Sequence, residues 1–175
     1  MVRSGSNFLS LDATTTKNRM LNLIGEYECK PDAKGRVLLP SALKKQLTTV
    51  LNKGFVLKRS VFNKCVELYP VDEWNDVMKQ INTLNRFIKK NNDFIRLFTA
   101  GVKLQEVDGS GRILLPRDLK AFAGLNNSIV MSSSVNMIEI WDKDTYEETL
   151  NNPETDFGNL AEDVMGGLNN SENVS

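Results

Sequence analysis

The stretch DAKGRVLLPSAL, at residues 32–43, recurs as DGSGRILLPRDL, at residues 108–119, and seven of the twelve positions are identical. The same offset of 76 also aligns Gly25 with Gly101. Farther along, CVELYP at residues 65–70 matches MIEIWD at residues 137–142 at an offset of 72. The chain therefore contains an internal duplication, and its first copy carries four extra residues between its helix and its last strand.

Each copy predicts the order strand, turn, strand, short helix, strand, strand, so that the expected fold class is α+β. In the turns DAKG and DGSG, aspartate stands first (Asp32, Asp108) and glycine fourth (Gly35, Gly111), which suits a type I turn with a left-handed exit. The proline that follows each return strand fits the start of a helix. A unit of about 45 residues has difficulty burying enough surface alone, so we expect the two copies to share one core.

The segments outside the two copies give weaker signals. DEWNDVMKQINTLNRFIKK, after Pro70, has apolar residues mostly three or four apart and predicts one amphipathic helix that Asp72 can cap. A second short helical piece, DFIRLFTAG, leads into the second copy. Residues 1–22 and the acidic residues 150–175 are expected to be disordered, and Gly166 and Gly167 disfavour a helix in the tail.

Composition excludes many classes of function. The 175 residues include no histidine, which removes the usual general base at neutral pH and most transition-metal sites. The two cysteines, Cys29 and Cys65, are expected to be buried reduced thiols. Apolar runs are too short for a membrane span or a signal peptide. We therefore predict a cytoplasmic, soluble protein that is not an enzyme, with no catalytic or metal site, no cofactor, no small-molecule ligand and no membrane partner.

The formal net charge is zero, but the charges are segregated. Residues 17–64 hold eleven basic side chains and three acidic ones, whereas residues 139–175 hold ten acidic side chains and one basic one. A basic half is typical of a protein that binds a polyanion, most often nucleic acid. A solvated basic face without a partner remains the alternative.

Each copy places an arginine four residues after the aspartate of its turn, as Arg36 after Asp32 and Arg112 after Asp108. The carboxylate can accept hydrogen bonds from N–H groups of the turn and pair with the guanidinium, which leaves the other arginine donors facing outward. An arginine held in this way loses less entropy when it meets a phosphate. The pattern alone fits equally well an ion pair that only stabilises the turn.

The chain resembles the MraZ family of bacterial transcription regulators, which is built from two tandem AbrB-like (SpoVT-AbrB) repeats. The resemblance runs from GEYECKPDAKGRVLLP through CVELYPVDEW, RLFTAGVKLQEVDGSGRILLP and LKAFAGL to IEIWD, and both copies of the Asp-x-x-x-Arg signature are present. It implies repeats at residues 26–73 and 101–145, a helical connector at residues 74–100, and a swapped-hairpin β-barrel formed by both repeats within one chain. The N-terminal extension and the tail lie outside it.

The resemblance also implies a function. It implies a DNA-binding transcriptional regulator, associated with the nucleoid, whose chains form a ring and bind repeated boxes of double-stranded DNA upstream of a division and cell-wall gene cluster. Carried over by position, Arg36 is the leading DNA contact with Lys34 beside it, and Arg112 is its equivalent. The second turn has Ser110 where the first has Lys34, so we expect the two turns to bind DNA unequally. We expect a repressor, although the sequence leaves repression and activation open.

Two other classes of function compete with this interpretation. An oligomeric scaffold or antitoxin-like protein would bind protein instead of DNA. A carboxylate-pair hydrolase would use Asp32 and Asp108 as a proton-sharing pair, but neither turn has the Asp-Thr/Ser-Gly order, and an arginine beside each aspartate would depress both pKa values. The low aromatic content, 7%, argues against stacking on single-stranded nucleic acid.

Overall fold

The computed structural model describes residues 20–171, and within this range the chain is α+β with two similarly ordered halves. The strands are β1 Glu26–Cys29, β2 Arg36–Leu38, β3 Phe55–Arg59, β4 Val66–Pro70, β5 Lys103–Gln105, β6 Arg112–Leu114, β7 Ile129–Ser134 and β8 Met137–Asp142. The helices are α1 Ser41–Gln46, α2 Val71–Ile81, α3 Lys89–Thr99, α4 Arg117–Ala123, α5 Lys143–Leu150 and α6 Phe157–Ser171. A single 3-10 turn, Leu51–Lys53, precedes β3.

Six strands form one antiparallel sheet in the order β1-β7-β8-β4-β3-β5. The two copies exchange strands in this sheet, because β1 of the first copy pairs with β7 and β5 of the second copy pairs with β3. The sheet is open, with β1 and β5 at its edges. The expected α+β class is therefore observed, whereas the closed barrel is not.

The remaining two strands, β2 and β6, form an antiparallel ribbon that joins the two copies. In the ribbon, Val37 pairs with its own equivalent, Ile113. In the large sheet, Glu67 pairs with its own equivalent, Glu139. A pseudo-twofold axis therefore passes through both pairs, and the duplication in the sequence becomes an approximate symmetry of the fold.

One hydrophobic core lies between the sheet, the ribbon and the short helices. Val37 and Ile113 are fully buried in it, and so are Leu43 of α1 and Phe55 of β3. Strands of both copies contribute side chains to this core. Leu57 and Leu68 come from the first copy, and Met131 and Ile140 come from the second. The prediction that the copies share a core is confirmed.

The strand pairing locates the four extra residues of the first copy. Tyr27 pairs with Met131, and Lys103, the equivalent of Tyr27 at offset 76, pairs with Leu57. Leu57 and Met131 are therefore equivalent at an offset of 74. Two of the extra residues precede β3, and the other two lengthen the loop at residues 60–65 between β3 and β4.

The connector contains two helices where the sequence analysis expected one long helix followed by a short piece. α2 ends at Ile81 and α3 begins at Lys89. Between them the side chains of Thr83 and Asn85 bond to the backbone, to the Gln80 carbonyl and the Phe87 N–H, which competes with a continuous helix. Asp72 does not cap α2: it lies in the first turn and pairs with Lys53 at 2.6 Å.

The acidic tail is helical in the structure, although the sequence analysis expected disorder. α6 spans Gly166 and Gly167, and its start is capped by Asp156, whose side chain accepts a hydrogen bond from the Asn159 N–H at 3.1 Å. The expectation of disorder for residues 1–22 falls mostly outside the described residues, which begin at Met20, and residues 172–175 of the tail lie outside them as well.

Cys65 is buried as expected, and Cys29 is half-buried; both are free thiols. Burial raises the pKa of the Cys65 thiol to about 12, so that this group stays protonated at neutral pH.

Within residues 20–171 no helix has the length and apolar character that a membrane span requires.

The Ile113→Ala substitution is expected to lower the free energy of unfolding by about 2–5 kcal/mol, because it leaves a cavity where the two copies meet. Leu38→Ala is the matched control, because Leu38 lies in the paired strand with 59% of its surface exposed. This substitution should change the free energy of unfolding by about 0.5 kcal/mol or less. Urea unfolding followed by circular dichroism measures both. Equal effects would contradict a core that depends on the ribbon.

Candidate nucleic-acid interface

The first turn is closed by backbone hydrogen bonds at both of its ends. The Asp32 N–H donates to the Arg36 carbonyl and the Gly35 N–H donates to the Asp32 carbonyl, each at 2.9 Å. Gly35 has a φ of +81°, in a region that residues with a Cβ rarely adopt. The glycine is therefore required by the turn itself.

The Asp32 carboxylate organises this turn from inside. Its Oδ1 accepts hydrogen bonds from the backbone N–H groups of Lys34 and Arg36, both at 2.9 Å. Its Oδ2 accepts a bond from the Arg36 Nε at 2.7 Å. Because this ion pair uses Nε, the terminal amino groups of Arg36 point beyond it, and Lys34 stands exposed at the tip of the turn.

The second turn repeats this geometry. Asp108 Oδ1 accepts bonds from the N–H groups of Ser110 and Arg112 at 2.8 and 2.9 Å, and Oδ2 accepts a bond from the Arg112 Nε at 3.1 Å. Gly111 has a φ of +80°. The two turns differ at the tip, where Ser110 replaces Lys34.

The ribbon brings the two turns together. The Gly35 carbonyl accepts a hydrogen bond from the Leu115 N–H at 2.9 Å, and the Gly111 carbonyl accepts one from the Leu39 N–H at 3.0 Å. Arg112 also approaches the turn of the other copy, with its Nη1 3.7 Å from Asp32 Oδ2. Each turn is thus anchored by residues of the opposite copy, and the two turns form one unit.

Two lysines that the sequence analysis missed lie against these turns. The Lys120 Nζ on α4 is 3.5 Å from the point that a Cβ on Gly35 would occupy, and the Lys44 Nζ on α1 is 3.1 Å from the corresponding point on Gly111. Each lysine therefore reaches the turn of the other copy. A signal was available, because Lys44 and Lys120 occupy equivalent positions at the offset of 76.

The outer face of the ribbon combines arginine with leucine. Arg36 pairs with Leu114 and Leu38 pairs with Arg112, and all four side chains lie on the face opposite to the buried Val37 and Ile113, because side chains alternate along a strand. Leu38 and Leu114 are exposed. A two-stranded ribbon of this kind is narrow enough to enter the major groove of B-DNA.

The two aspartates are held in their ionised form. The hydrogen bond from the Arg36 N–H is the main cause that lowers the pKa of Asp32, and the bond from the Arg112 N–H does the same for the pKa of Asp108. In a proton-sharing pair, one carboxyl has a raised pKa instead.

Within residues 20–171, no group of three or more His, Cys, Asp or Glu side chains is placed to hold a metal ion.

Comparison with known proteins identifies similar chains. A family model described as "MraZ protein, putative antitoxin-like" matches twice, at residues 23–97 and 98–166. Proteins named transcriptional regulator MraZ are similar over most of their length. The one from Christiangramia forsetii is 63% identical over 84% of this chain and 95% of its own. The one from Flavobacterium psychrophilum is 58% identical over 87% and 98%. The one from Phocaeicola vulgatus is 33% identical over 87% and 99%.

The carboxyl group of Asp32 should titrate below the ordinary aspartate pKa of about 3.9 when it is followed by carbon-detected NMR. Its folded pKa is lowered, so its ionised form stabilises the fold above the unfolded pKa, and this contribution is lost as the pH falls through the folded pKa. The stability difference between the wild type and Asp32→Asn should therefore shrink below about pH 4. Titration at or above the ordinary value would contradict the hydrogen bonding of the turn.

Proposed function

The chain belongs to the MraZ family, and we propose that it is a transcriptional regulator that binds double-stranded DNA with the paired turns of the β2–β6 ribbon. The main observation in its support is the pairing of β2 with β6. This pairing presents Arg36 and Arg112 on one outward face, and an aspartate holds each of them in place. The relatives named as transcriptional regulators support the functional class.

Different side chains have different roles in this proposal. A guanidinium can bond to two acceptors at once, so Arg36 and Arg112 are suited to the O6 and N7 atoms of guanine in the major groove. Lys34 is a point charge at the tip of a turn and is suited to phosphate, as are Lys44 and Lys120 beside the two turns. Asp32, Gly35, Asp108 and Gly111 shape the turns and do not contact DNA.

The two turns contribute unequally. The first carries Lys34 and Arg36, whereas the second carries Arg112 without a lysine at its tip. Since each neutralised phosphate adds a salt-dependent increment to affinity, the first turn provides the larger electrostatic share.

One chain offers few phosphate contacts, so we propose that several chains form a ring. Turns at fixed spacing around the ring would meet successive DNA boxes, and each box bound raises the effective concentration for the next one. In line with the family resemblance, the boxes lie upstream of a division and cell-wall gene cluster. The operator sequence would then be read by arginine contacts and by the ease with which the DNA follows the ring.

We propose further that residues 26–73 and 101–145 are the two SpoVT-AbrB repeats and that residues 74–100 connect them. The protein would act in the cytoplasm on the nucleoid, without a cofactor and without enzymatic activity. The pairing of each candidate catalytic aspartate with its own arginine supports the last point.

A second candidate is an antitoxin-like protein that binds another protein with the same turns. The description of the matching family as antitoxin-like favours it. Gel shifts at low salt with the DNA upstream of the chain's own gene decide between the two. Retarded DNA supports the regulator, and free DNA throughout supports the antitoxin-like protein.

Arg36→Ala should weaken binding to an operator fragment by about 1–3 kcal/mol, because it removes a held guanidinium from the face of the ribbon. Arg86→Ala is the charge-matched control, since Arg86 is exposed in the connector, and it should bind like the wild type. Fluorescence anisotropy over a range of salt concentrations measures both variants. If Arg36→Ala retains full affinity at physiological salt, the first turn is not a DNA contact.

Exchanging the tips of the two turns tests their inequality. Ser110→Lys should strengthen binding and steepen the plot of log affinity against log salt, by about 0.9 for each phosphate gained, whereas Lys34→Ser should do the opposite. The variant that carries both changes moves one lysine without altering the total charge. An unchanged salt slope in both single variants would contradict a phosphate contact at either tip.

A further inference from the structure

α6 carries an apolar stripe that the described part of its own chain leaves uncovered. Phe157, Leu160, Val164 and Met165 are spaced at i, i+3, i+7 and i+8, which aligns them along one face of the helix. All four are exposed, Phe157 by 80%. Anchors at this spacing are typical of a helix that docks into a groove on another surface.

The sequence of α6 does not favour a helix by itself. Gly166 and Gly167 each disfavour a helix by about 1 kcal/mol relative to alanine, and isolated helices of up to about 15 residues are marginal in water. Packing of an amphipathic face usually supplies the missing stability. This indicates that the stripe has a partner.

An apolar groove of about 420 Å³ lies elsewhere on the surface, between α3, α4 and the β3–β4 loop. Phe62 of the loop and Leu97 of α3 line it and are 92% and 72% exposed. Val61 and Phe94 add two more exposed apolar side chains. An exposed apolar patch of this kind marks an interaction site.

The groove and α6 carry opposite charges. Three basic side chains line the groove, and no acidic one does: Lys58, Arg59 and Lys64. In α6, Glu162 and Asp163 lie on the two flanks of the stripe, and no basic residue follows Lys143 in the sequence. Lys58 is buried and already pairs with Glu67, so Arg59 and Lys64 supply the accessible positive charge. The stripe and the groove are therefore both apolar, and the charges beside them are opposite in sign.

We propose that α6 of one copy docks into this groove on a neighbouring copy. The inference rests on the ring of the proposed function and assigns the contact that builds it. Because the stripe and the groove are different surfaces of one chain, each copy offers one of each, and the contact is head-to-tail. Contacts of this type close into a ring when the rotation allows.

Two variants test the contact in the full chain: Leu160→Asp with Val164→Asp disables the stripe, and Phe62→Ser with Leu97→Asp disables the groove. The wild type should have a mass of several times 19.7 kDa in light scattering, and each variant alone should have the mass of one chain. Mixed in equal amounts, the two variants should form a complex of twice the chain mass that grows no further. Each partner of that complex contributes its one intact surface.

A charge exchange provides a second test that leaves every apolar side chain of the stripe and the groove in place. Lys64→Glu and Glu162→Lys should each lower the mass at low protein concentration, and the chain that carries both should regain the wild-type mass. Lys79→Glu is the control, because Lys79 lies on α2 outside the groove. Circular dichroism confirms that each variant is folded.

The outcomes separate this contact from the proposed function. If the wild type is oligomeric and every variant keeps its mass, the α6 contact is overturned and the ring stands. If the wild type is monomeric, both the ring and the contact fail, and binding to a single-box fragment then tests the DNA contacts separately. If both apolar variants lose mass but no mixed complex forms, the docking of α6 into this groove is overturned, because each of the two surfaces must then contact a different part of the neighbouring copy.

Discussion

The pairing of β2 with β6 is the contact on which the rest of the molecule depends. It buries Val37 and Ile113 at the pseudo-twofold axis, and it hydrogen-bonds the glycine of each turn to the opposite copy. The same three-residue ladder therefore closes the core on its inner side and displays the basic face on its outer side. A fold in which each copy paired only with itself would place the two turns independently.

Within that frame, one carboxylate in each turn sets the electrostatics. Asp32 engages two N–H groups of the turn and the Nε of Arg36, and Asp108 does the same with Arg112. These bonds keep the aspartate ionised and restrict each arginine through its Nε, and the Nη1 of Arg112 also approaches the Asp32 carboxylate. The aspartates are thus structural, and the arginines and lysines that surround them form a preorganised basic surface.

The acidic and apolar tail suggests a second role for the segregation of charge along the chain. Basic side chains occur throughout the first copy, the connector and the second copy as far as Lys143, whereas the last 32 residues are without a basic side chain. If α6 docks on a neighbour, its carboxylates lie on the groove of α3 and α4, away from the turns. The same charge separation would then serve assembly through one basic surface and DNA binding through another.

The sequence by itself determined the repeated unit, the identity of the turn residues, the family and the absence of histidine chemistry. The signature of the turn is local. A turn that needs a glycine with positive φ and an aspartate that accepts hydrogen bonds can be recognised from five consecutive residues. Local signals also failed in two places. The acidic, turn-prone composition of the tail favoured disorder, and Gly166 and Gly167 disfavoured a helix, where α6 forms. The polar residues after Ile81 divide the connector helix that the apolar periodicity had extended. Only the tertiary structure decided that β1 and β5 are exchanged, that the large sheet stays open, and that Lys44 and Lys120 each reach the turn of the opposite copy. These strand partners and contacts between helix and turn join residues about 45 to 105 positions apart. They are chosen by how the whole chain buries its apolar surface, which no short stretch encodes.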